Sequence, residues 1–161
     1  MAEIDRGGRG RIRQRRRLRG LAGGTLEARL VTLDTSGLLA ALRRRDPDHD
    51  RVVAAMRSDG GPLIIPVAIL AEVAYFLERD YRPPSLDLFV DDLVTGAYTL
   101  DCGEADLRRV QTLTRRYHDL PLGLADAAVI ACAERHGGKV LTPDLRHFGV
   151  VAREGTITIV P

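Results

Sequence analysis

The chain of 161 residues is 45% hydrophobic and 4% aromatic, with a formal net charge of +2, which fits one globular domain that buries its own core. No apolar run is long enough to span a bilayer, and the N-terminus lacks the apolar segment of a signal peptide. Two cysteines, Cys102 and Cys132, are too few for a disulfide framework, so we expect free thiols in a reducing cytoplasm.

The charge is unevenly distributed. Residues 1–30 hold nine Arg against three acidic residues, a net +6 that leaves −4 for the rest of the chain. Residues 1–28 are rich in Arg and Gly and poor in apolar residues, which predicts a mostly disordered tail. This tail is either an RNA- or phosphate-binding arm or a solvated extension ahead of a later translation start, for which Val31 is suitable. We expect the folded domain to span residues 29–161.

Alternating strand and helix signals follow the tail and predict an α/β fold with a parallel sheet. Short apolar runs predict strands at residues 30–33, 63–65, 97–100, 139–142 and 156–160. Capping residues, helical spacing of apolar residues and Gly or Pro stops predict helices at residues 37–44, 46–58, 66–80, 85–95, 104–118 and 123–136. Cys132 and Phe148 are expected in the core.

Two aspartates come directly after predicted strands. Asp34 follows the first strand, and Asp144 follows the fourth by two residues. In an open α/β sheet, ligands bind in the crevice outside the carboxyl ends of the strands. If these strands are parallel, both carboxylates lie at the same edge of the sheet.

Two further carboxylates lie in apolar helical stretches. Glu72 follows Ala68-Ile69-Leu70-Ala71, and Asp126 precedes Ala127-Ala128-Val129-Ile130, so we expect both side chains to point inward or toward the crevice. Converging carboxylates repel one another unless a cation is present, and hard oxygen ligands suit Mg²⁺ or Mn²⁺. No histidine stands at these positions, so we do not expect a His-rich zinc site.

Each of the four residues also has a simpler interpretation by itself. Asp34 could cap a helix, Asp144 could be a turn residue, Glu72 could pair with Arg79, and Asp126 could favour a helix N-terminus. The joint pattern is more specific than any single member. It points to a cation that activates water and stabilises the leaving oxygen of a phosphodiester.

Three segments carry a resemblance to a known family: VTLDTSGLLAAL, PLIIPVAILAEVAYFL and DLPLGLADAAVIACAERHGGKVLTPDLRHF. In this order they resemble the PIN-domain family, and specifically the VapC-type toxins of bacterial type II toxin–antitoxin pairs. The resemblance implies a three-layer α/β/α fold with a parallel sheet of five strands. It also implies a Mg²⁺- or Mn²⁺-dependent endoribonuclease that forms a homodimer and binds a small antitoxin, for which a groove around residues 67–77 would be suitable.

The resemblance also implies roles for individual residues. Asp34, Glu72, Asp126 and Asp144 would be the catalytic, metal-binding carboxylates. Thr35, Ser36 and Thr142 would support them through hydrogen bonds. Asp119 would have either a supporting role or a place on a surface loop.

Positive charge around the acidic centre would help to hold RNA. The residues predicted to contact flanking phosphates are Arg43, Arg44, Arg115, Arg116 and Arg146. The alternative is that they are solvated helix ends. Three rival functions also stay open at this point: a catalytically silent PIN-like module that binds RNA or a protein, a domain phosphorylated on Asp34, and a DNase with the same carboxylates.

Overall fold

The computed structural model describes residues 30–80, 85–120 and 122–160. The predictions for the tail at residues 1–28 and for the start of the domain lie outside these ranges. Within the described residues, no helix has both the length and the apolar character needed to cross a membrane.

The strands of the described residues form one parallel sheet. They are β1 (Val31–Leu33), β2 (Leu63–Pro66), β3 (Thr99–Asp101), β4 (Lys139–Leu141) and β5 (Thr158–Val160). Their order is β3-β2-β1-β4-β5, and every neighbouring pair is parallel. The predicted α/β fold with a five-stranded parallel sheet is confirmed.

Helices connect and flank the strands. They are α1 (Thr35–Leu42), α2 (His49–Asp59), α3 (Leu70–Asp80), α4 (Ser85–Val94), α5 (Leu107–Arg116), α6 (Leu124–Arg135) and α7 (Phe148–Arg153). The first six were predicted, with ends shifted by a few residues. Short 3₁₀ turns at Val67–Ile69 and Glu104–Asp106 precede α3 and α5, so the predicted helices at residues 66–80 and 104–118 begin too early.

The order of the strands creates a crevice beside β1. The chain runs from β1 to β2 and β3 on one side, then crosses back to β4 and β5 on the other side. Because parallel crossovers are right-handed, this reversal puts α1–α4 and α5–α6 on opposite faces of the sheet. The switch in direction lies between β1 and β4, which is where α/β sheets bind ligands.

The core lies between the sheet and its helices. The central strands β1 and β2 are buried along their whole length, and α6, which contacts β1, β2 and β4, buries Ala127, Val129 and Ile130. Cys132 and Phe148 are both fully buried, as predicted. Phe148 opens α7, a helix of six residues that was not predicted because it is too short to show helical periodicity.

Candidate active site

The register of the two central strands places Asp34 beside the end of β4. Leu33 pairs with Leu141, and the backbone N–H of Asp34 donates to the carbonyl of Leu141 at 3.2 Å. Asp144 comes three residues after β4 ends. The two predicted strand-end aspartates therefore lie at the same edge of the sheet.

Asp34 is a buried carboxylate, 5% exposed, that caps α1. Its Oδ2 accepts hydrogen bonds from the Ser36 backbone N–H at 3.2 Å, from Ser36 Oγ at 2.5 Å and from Thr142 Oγ1 at 3.0 Å. Burial raises the pKa of Asp34, although these hydrogen bonds oppose the rise. Asp34 thus combines the helix cap considered for it with a place in the carboxylate cluster.

Glu72 projects into the same groove from the first turn of α3. Its Oε2 accepts a 2.6 Å hydrogen bond from Thr35 Oγ1, which links α3 to the start of α1. The residue is exposed rather than buried, so its position fits the crevice alternative of the sequence analysis. The ion pair considered with Arg79 is absent among the described residues, because Arg79 pairs with Asp80.

Asp126 and Asp144 meet at a histidine. The Nδ1 atom of His147 lies 3.1 Å from Asp144 Oδ2 and 3.5 Å from Asp126 Oδ2, and the Gly123 N–H donates to Asp126 at 3.2 Å. Burial raises the pKa of Asp126, and repulsion from Asp144 and Glu72 adds to the rise. This histidine was not anticipated from the sequence, and the turn after Asp144 folds it back onto the two carboxylates.

All four predicted carboxylates line one groove of about 610 Å³. They come from four separate parts of the fold: the end of β1, α3, α6 and the loop after β4. The electrostatic repulsion felt by Asp126 from Asp144 and Glu72, and by Asp34 from Asp126, connects all four. A divalent cation would relieve this repulsion, and carboxylate oxygens are the ligands that Mg²⁺ and Mn²⁺ prefer.

Three of the four predicted supporting residues touch these carboxylates. Thr35 contacts Glu72, Ser36 contacts Asp34, and Thr142 contacts Asp34 while accepting from the Asp144 N–H at 3.0 Å. Asp119 does not line the groove; its side chain is 92% exposed and pairs with His118 at 3.0 Å. Of the two interpretations of Asp119, its position therefore fits the surface loop.

The predicted RNA-contacting arginines are distributed over several surfaces. Arg43 lines the groove, and Arg44 lines a neighbouring depression. Arg115 and Arg116 lie on α5 and line neither, and Arg116 pairs with Glu154 at 2.8 Å. Arg146 is exposed two residues after Asp144, whose Oδ1 accepts its backbone N–H at 2.8 Å.

Several residues that shape or line this groove were not predicted to do so from the sequence. Gly37 lies where α1 meets the end of β4, and a Cβ at this position would collide with the Leu141 carbonyl oxygen. Phe76 and Arg79 line the groove on α3. The LDTSG segment contains Gly37, but its need for a small residue depends on a contact more than a hundred residues away.

A second group of possible metal ligands lies elsewhere: Asp101, Cys132 and His136 have ligand atoms within 4.8 Å of one another. Arg135 already donates to Asp101 Oδ1 at 2.7 Å, and His136 Nε2 lies 2.9 Å from Asp101 Oδ2. Burial raises the pKa of the Cys132 thiol to about 12, and both oxygens of Asp101 already have charged or polar partners. We therefore assign this group to an ion-pair network rather than to a metal site.

The PIN domain profile matches residues 31–154, which include all four carboxylates. The chain belongs to the PIN domain family. It is also 30% identical over 135 residues to Ribonuclease VapC26 of Mycobacterium tuberculosis, an alignment that covers 81% of this chain and 100% of that protein. The resemblance to VapC-type proteins is thereby confirmed.

Solved structures share the fold at lower identity. The crystal structure of VapC20 of Mycobacterium tuberculosis, a sarcin-ricin loop cleaving toxin, has a TM-score of 0.66 at 19% identity and covers 81% of this chain and 99% of its own. VapBC2 of Rickettsia felis, bound to a promoter DNA fragment, has a TM-score of 0.61 at 13% identity. FitAcB of Neisseria gonorrhoeae has a TM-score of 0.55 at 17% identity. Each of the last two covers 81% of this chain and 96% of its own.

Proposed function

We propose that this protein is a Mg²⁺- or Mn²⁺-dependent endoribonuclease that acts as the toxin of a toxin–antitoxin pair. The observation that carries the proposal is the convergence of Asp34, Glu72, Asp126 and Asp144 in one groove at the switch point of the sheet. The similarity to Ribonuclease VapC26 supports RNA as the substrate. No arrangement of a nucleophilic Ser or Cys with a base is needed for this chemistry.

The donor set fits a hard divalent cation. The pKa values of buried Asp34 and half-buried Asp126 are raised by burial and by neighbouring carboxylates. The protein groups around them therefore do not fully compensate their negative charge. The four carboxylates would hold the cation. When bound, it would supply the acidity that activates water and the positive charge that stabilises the leaving oxygen of a phosphodiester.

The residues around the carboxylates orient them. Thr35 holds Glu72, whereas Ser36 and Thr142 hold Asp34 through its Oδ2 atom. Because Oδ2 carries these hydrogen bonds, Oδ1 of Asp34 is the oxygen best placed to face the groove. In-line attack by water at the phosphate would leave a 3′-hydroxyl and a 5′-phosphate, and no side chain becomes covalently modified.

The partners follow from the same relatives. The structural neighbours include VapBC2 and FitAcB, which supports a small antitoxin as the partner of this chain, and we propose a homodimer as its own assembly. Val67 and Tyr75 are exposed apolar side chains within the predicted antitoxin groove. An antitoxin helix that covers them would bury this apolar surface next to the carboxylates.

The deciding experiment incubates the full chain with a mixed RNA pool in Mg²⁺, in Mn²⁺ and in EDTA, with a single-stranded DNA pool in parallel. We expect cleavage of RNA that requires the cation and disappears in Asp126→Asn. The matched control is Asp87→Asn, which changes an exposed carboxylate on α4 and should cut at the wild-type rate. Calorimetric titration with Mn²⁺ gives a readout independent of cleavage, and we expect weaker binding by Asp126→Asn alone.

Other outcomes would select among the rivals. Cation-dependent cutting of DNA but not RNA would identify a DNase. RNA binding by folded protein without cleavage or Mn²⁺ binding would identify a silent binding module. Wild-type cleavage by Asp126→Asn would refute the assignment of the carboxylates.

A further inference from the structure

One side of α3 carries aromatic and guanidinium groups beside the carboxylates: Tyr75 and Arg79 are exposed, and Phe76 is half-buried. The Arg79 guanidinium carbon lies 4.9 Å from the centre of the Phe76 ring and 5.4 Å from that of Tyr75. The two rings pack edge to face with centroids 5.4 Å apart. We call Tyr75, Phe76 and Arg79 the α3 platform.

Helical spacing places this platform in line with Glu72. Phe76 and Arg79 follow Glu72 by four and seven residues, so the three side chains lie on one face of α3. All three line the groove. At about 1.5 Å per residue, Arg79 stands about 10 Å farther along the helix than Glu72, next to the carboxylates rather than among them.

The guanidinium plane of Arg79 is fixed in place. Its Nε and Nη2 atoms donate to the two carboxylate oxygens of Asp80 at 2.6 and 2.9 Å, and these bonds, together with one donated to the Tyr75 hydroxyl, raise the pKa of Arg79. The side chain is nevertheless 52% exposed. A fixed, half-exposed guanidinium plane on aromatic rings offers a flat surface to an incoming planar group.

The charges favour stacking over phosphate binding at this place. Seven carboxylates line the groove against the two guanidiniums of Arg43 and Arg79, and both arginines already donate to Asp80. A phosphate would compete with Asp80 for the same donors, whereas stacking of a base requires no free charge. Single-stranded RNA is commonly held by stacking of its bases on aromatic rings and Arg planes.

We propose that the α3 platform is a base-stacking subsite for the nucleotide next to the scissile phosphate of a single-stranded RNA. This inference rests on the proposed ribonuclease function and names how that site holds its substrate. Phe76 and Arg79 are the residues that contact the base, and the Tyr75 ring packs beside the Arg79 guanidinium. The antitoxin is the competing occupant of this face.

The test compares binding of fluorescent octauridine with that of an abasic ribose-phosphate octamer, using the full chain in EDTA. Repulsion by the carboxylates acts on both probes alike, so their affinity ratio reports contacts to the bases. We expect the wild type to favour octauridine by roughly tenfold. Arg79→Lys keeps the charge but removes the plane, so the affinity ratio should fall toward one. Phe76→Leu should act similarly, because it removes the ring but keeps an apolar side chain.

The matched control is Arg57→Lys on α2, an exposed arginine outside the groove, which should leave the ratio unchanged. If Arg79→Lys keeps the wild-type affinity ratio, Arg79 acts only through its charge, and the stacking subsite is refuted. Variants that bind both probes normally but lose binding to a cognate antitoxin would assign the platform to that protein instead. If the wild type cuts the RNA pool but the two α3 substitutions leave the affinity ratio unchanged, only the stacking subsite is refuted. If the wild type neither cuts nor binds RNA, the proposed function is refuted as well.

Discussion

Thr142 Oγ1 donates a 3.0 Å hydrogen bond to Asp34 Oδ2 across 108 residues of sequence. The same oxygen accepts the backbone N–H of Asp144 at 3.0 Å. One buried hydroxyl therefore bonds to the carboxylate of Asp34 and to the backbone of Asp144, two residues that follow different strands. The parallel pairing of β1 with β4 brings these groups together.

Thr142→Val should damage both stability and cleavage. It removes the donor to Asp34 at a buried position and leaves the part-buried Asp144 N–H without its acceptor, which should lower the free energy of unfolding by about 1–3 kcal/mol. Cleavage should fall by roughly tenfold or more, because groups that orient metal ligands matter nearly as much as the ligands. Urea unfolding and initial cleavage rates measure the two effects. Thr142→Ser keeps the hydroxyl, and equal losses in both variants would show that the hydrogen bonds do not matter.

Gly37→Ala should destabilise the fold at the site itself. Its new Cβ would overlap the Leu141 carbonyl oxygen, which also accepts the Asp34 N–H, so α1 must move away from β4. We expect a loss of about 1–3 kcal/mol in the free energy of unfolding. Gly149→Ala on α7 is the control, since its nearest neighbour would be Leu145 Cβ at 3.8 Å, and urea unfolding should show little change. Equal stability of the two variants would contradict the tight contact.

The Asp101 ion pairs should stabilise the fold only above strongly acidic pH. Burial opposes ionisation, but hydrogen bonds from Arg135 and His136 lower the pKa of Asp101 from 3.8 to about 2. Because the folded-state pKa is the lower one, the stabilisation is fully present above the unfolded value and is lost as the pH falls from about 4 to about 2. Asp101→Asn should therefore cost roughly 1 kcal/mol at neutral pH and almost nothing near pH 2.

Urea unfolding of the wild type and Asp101→Asn at several pH values measures this difference. Asp87→Asn, at an exposed position on α4, should show no comparable pH-dependent loss. A constant difference between wild type and Asp101→Asn from neutral to acidic pH would refute the assignment.

The two thiols should react at very different rates. Cys102 is exposed, whereas Cys132 is 1% exposed, and burial together with the nearby Asp101 raises the pKa of Cys132 to about 12. Since the thiolate is the reactive form, a disulfide reagent should label one thiol per native chain quickly and both in urea. Rapid labelling of two thiols in the native protein would show that Cys132 is accessible.

Local patterns were sufficient for most elements of the fold. Apolar runs identified the strands, and caps with helical spacing identified six helices, because such signals depend on neighbouring residues. The third strand was placed at residues 97–100 but is Thr99–Asp101. Its bounds follow from its pairing with β2, which no local pattern reveals.

By itself the sequence determined the α/β class and the family it resembles, and it predicted the four carboxylates, since strand ends, helix positions and motifs are properties of short segments. Only the tertiary structure decided what surrounds those carboxylates. It placed His147 between Asp126 and Asp144, left Asp119 on the surface and set the α3 platform beside Glu72. These contacts depend on the register of parallel strands and on the rotation of each packed helix, which the whole core sets together.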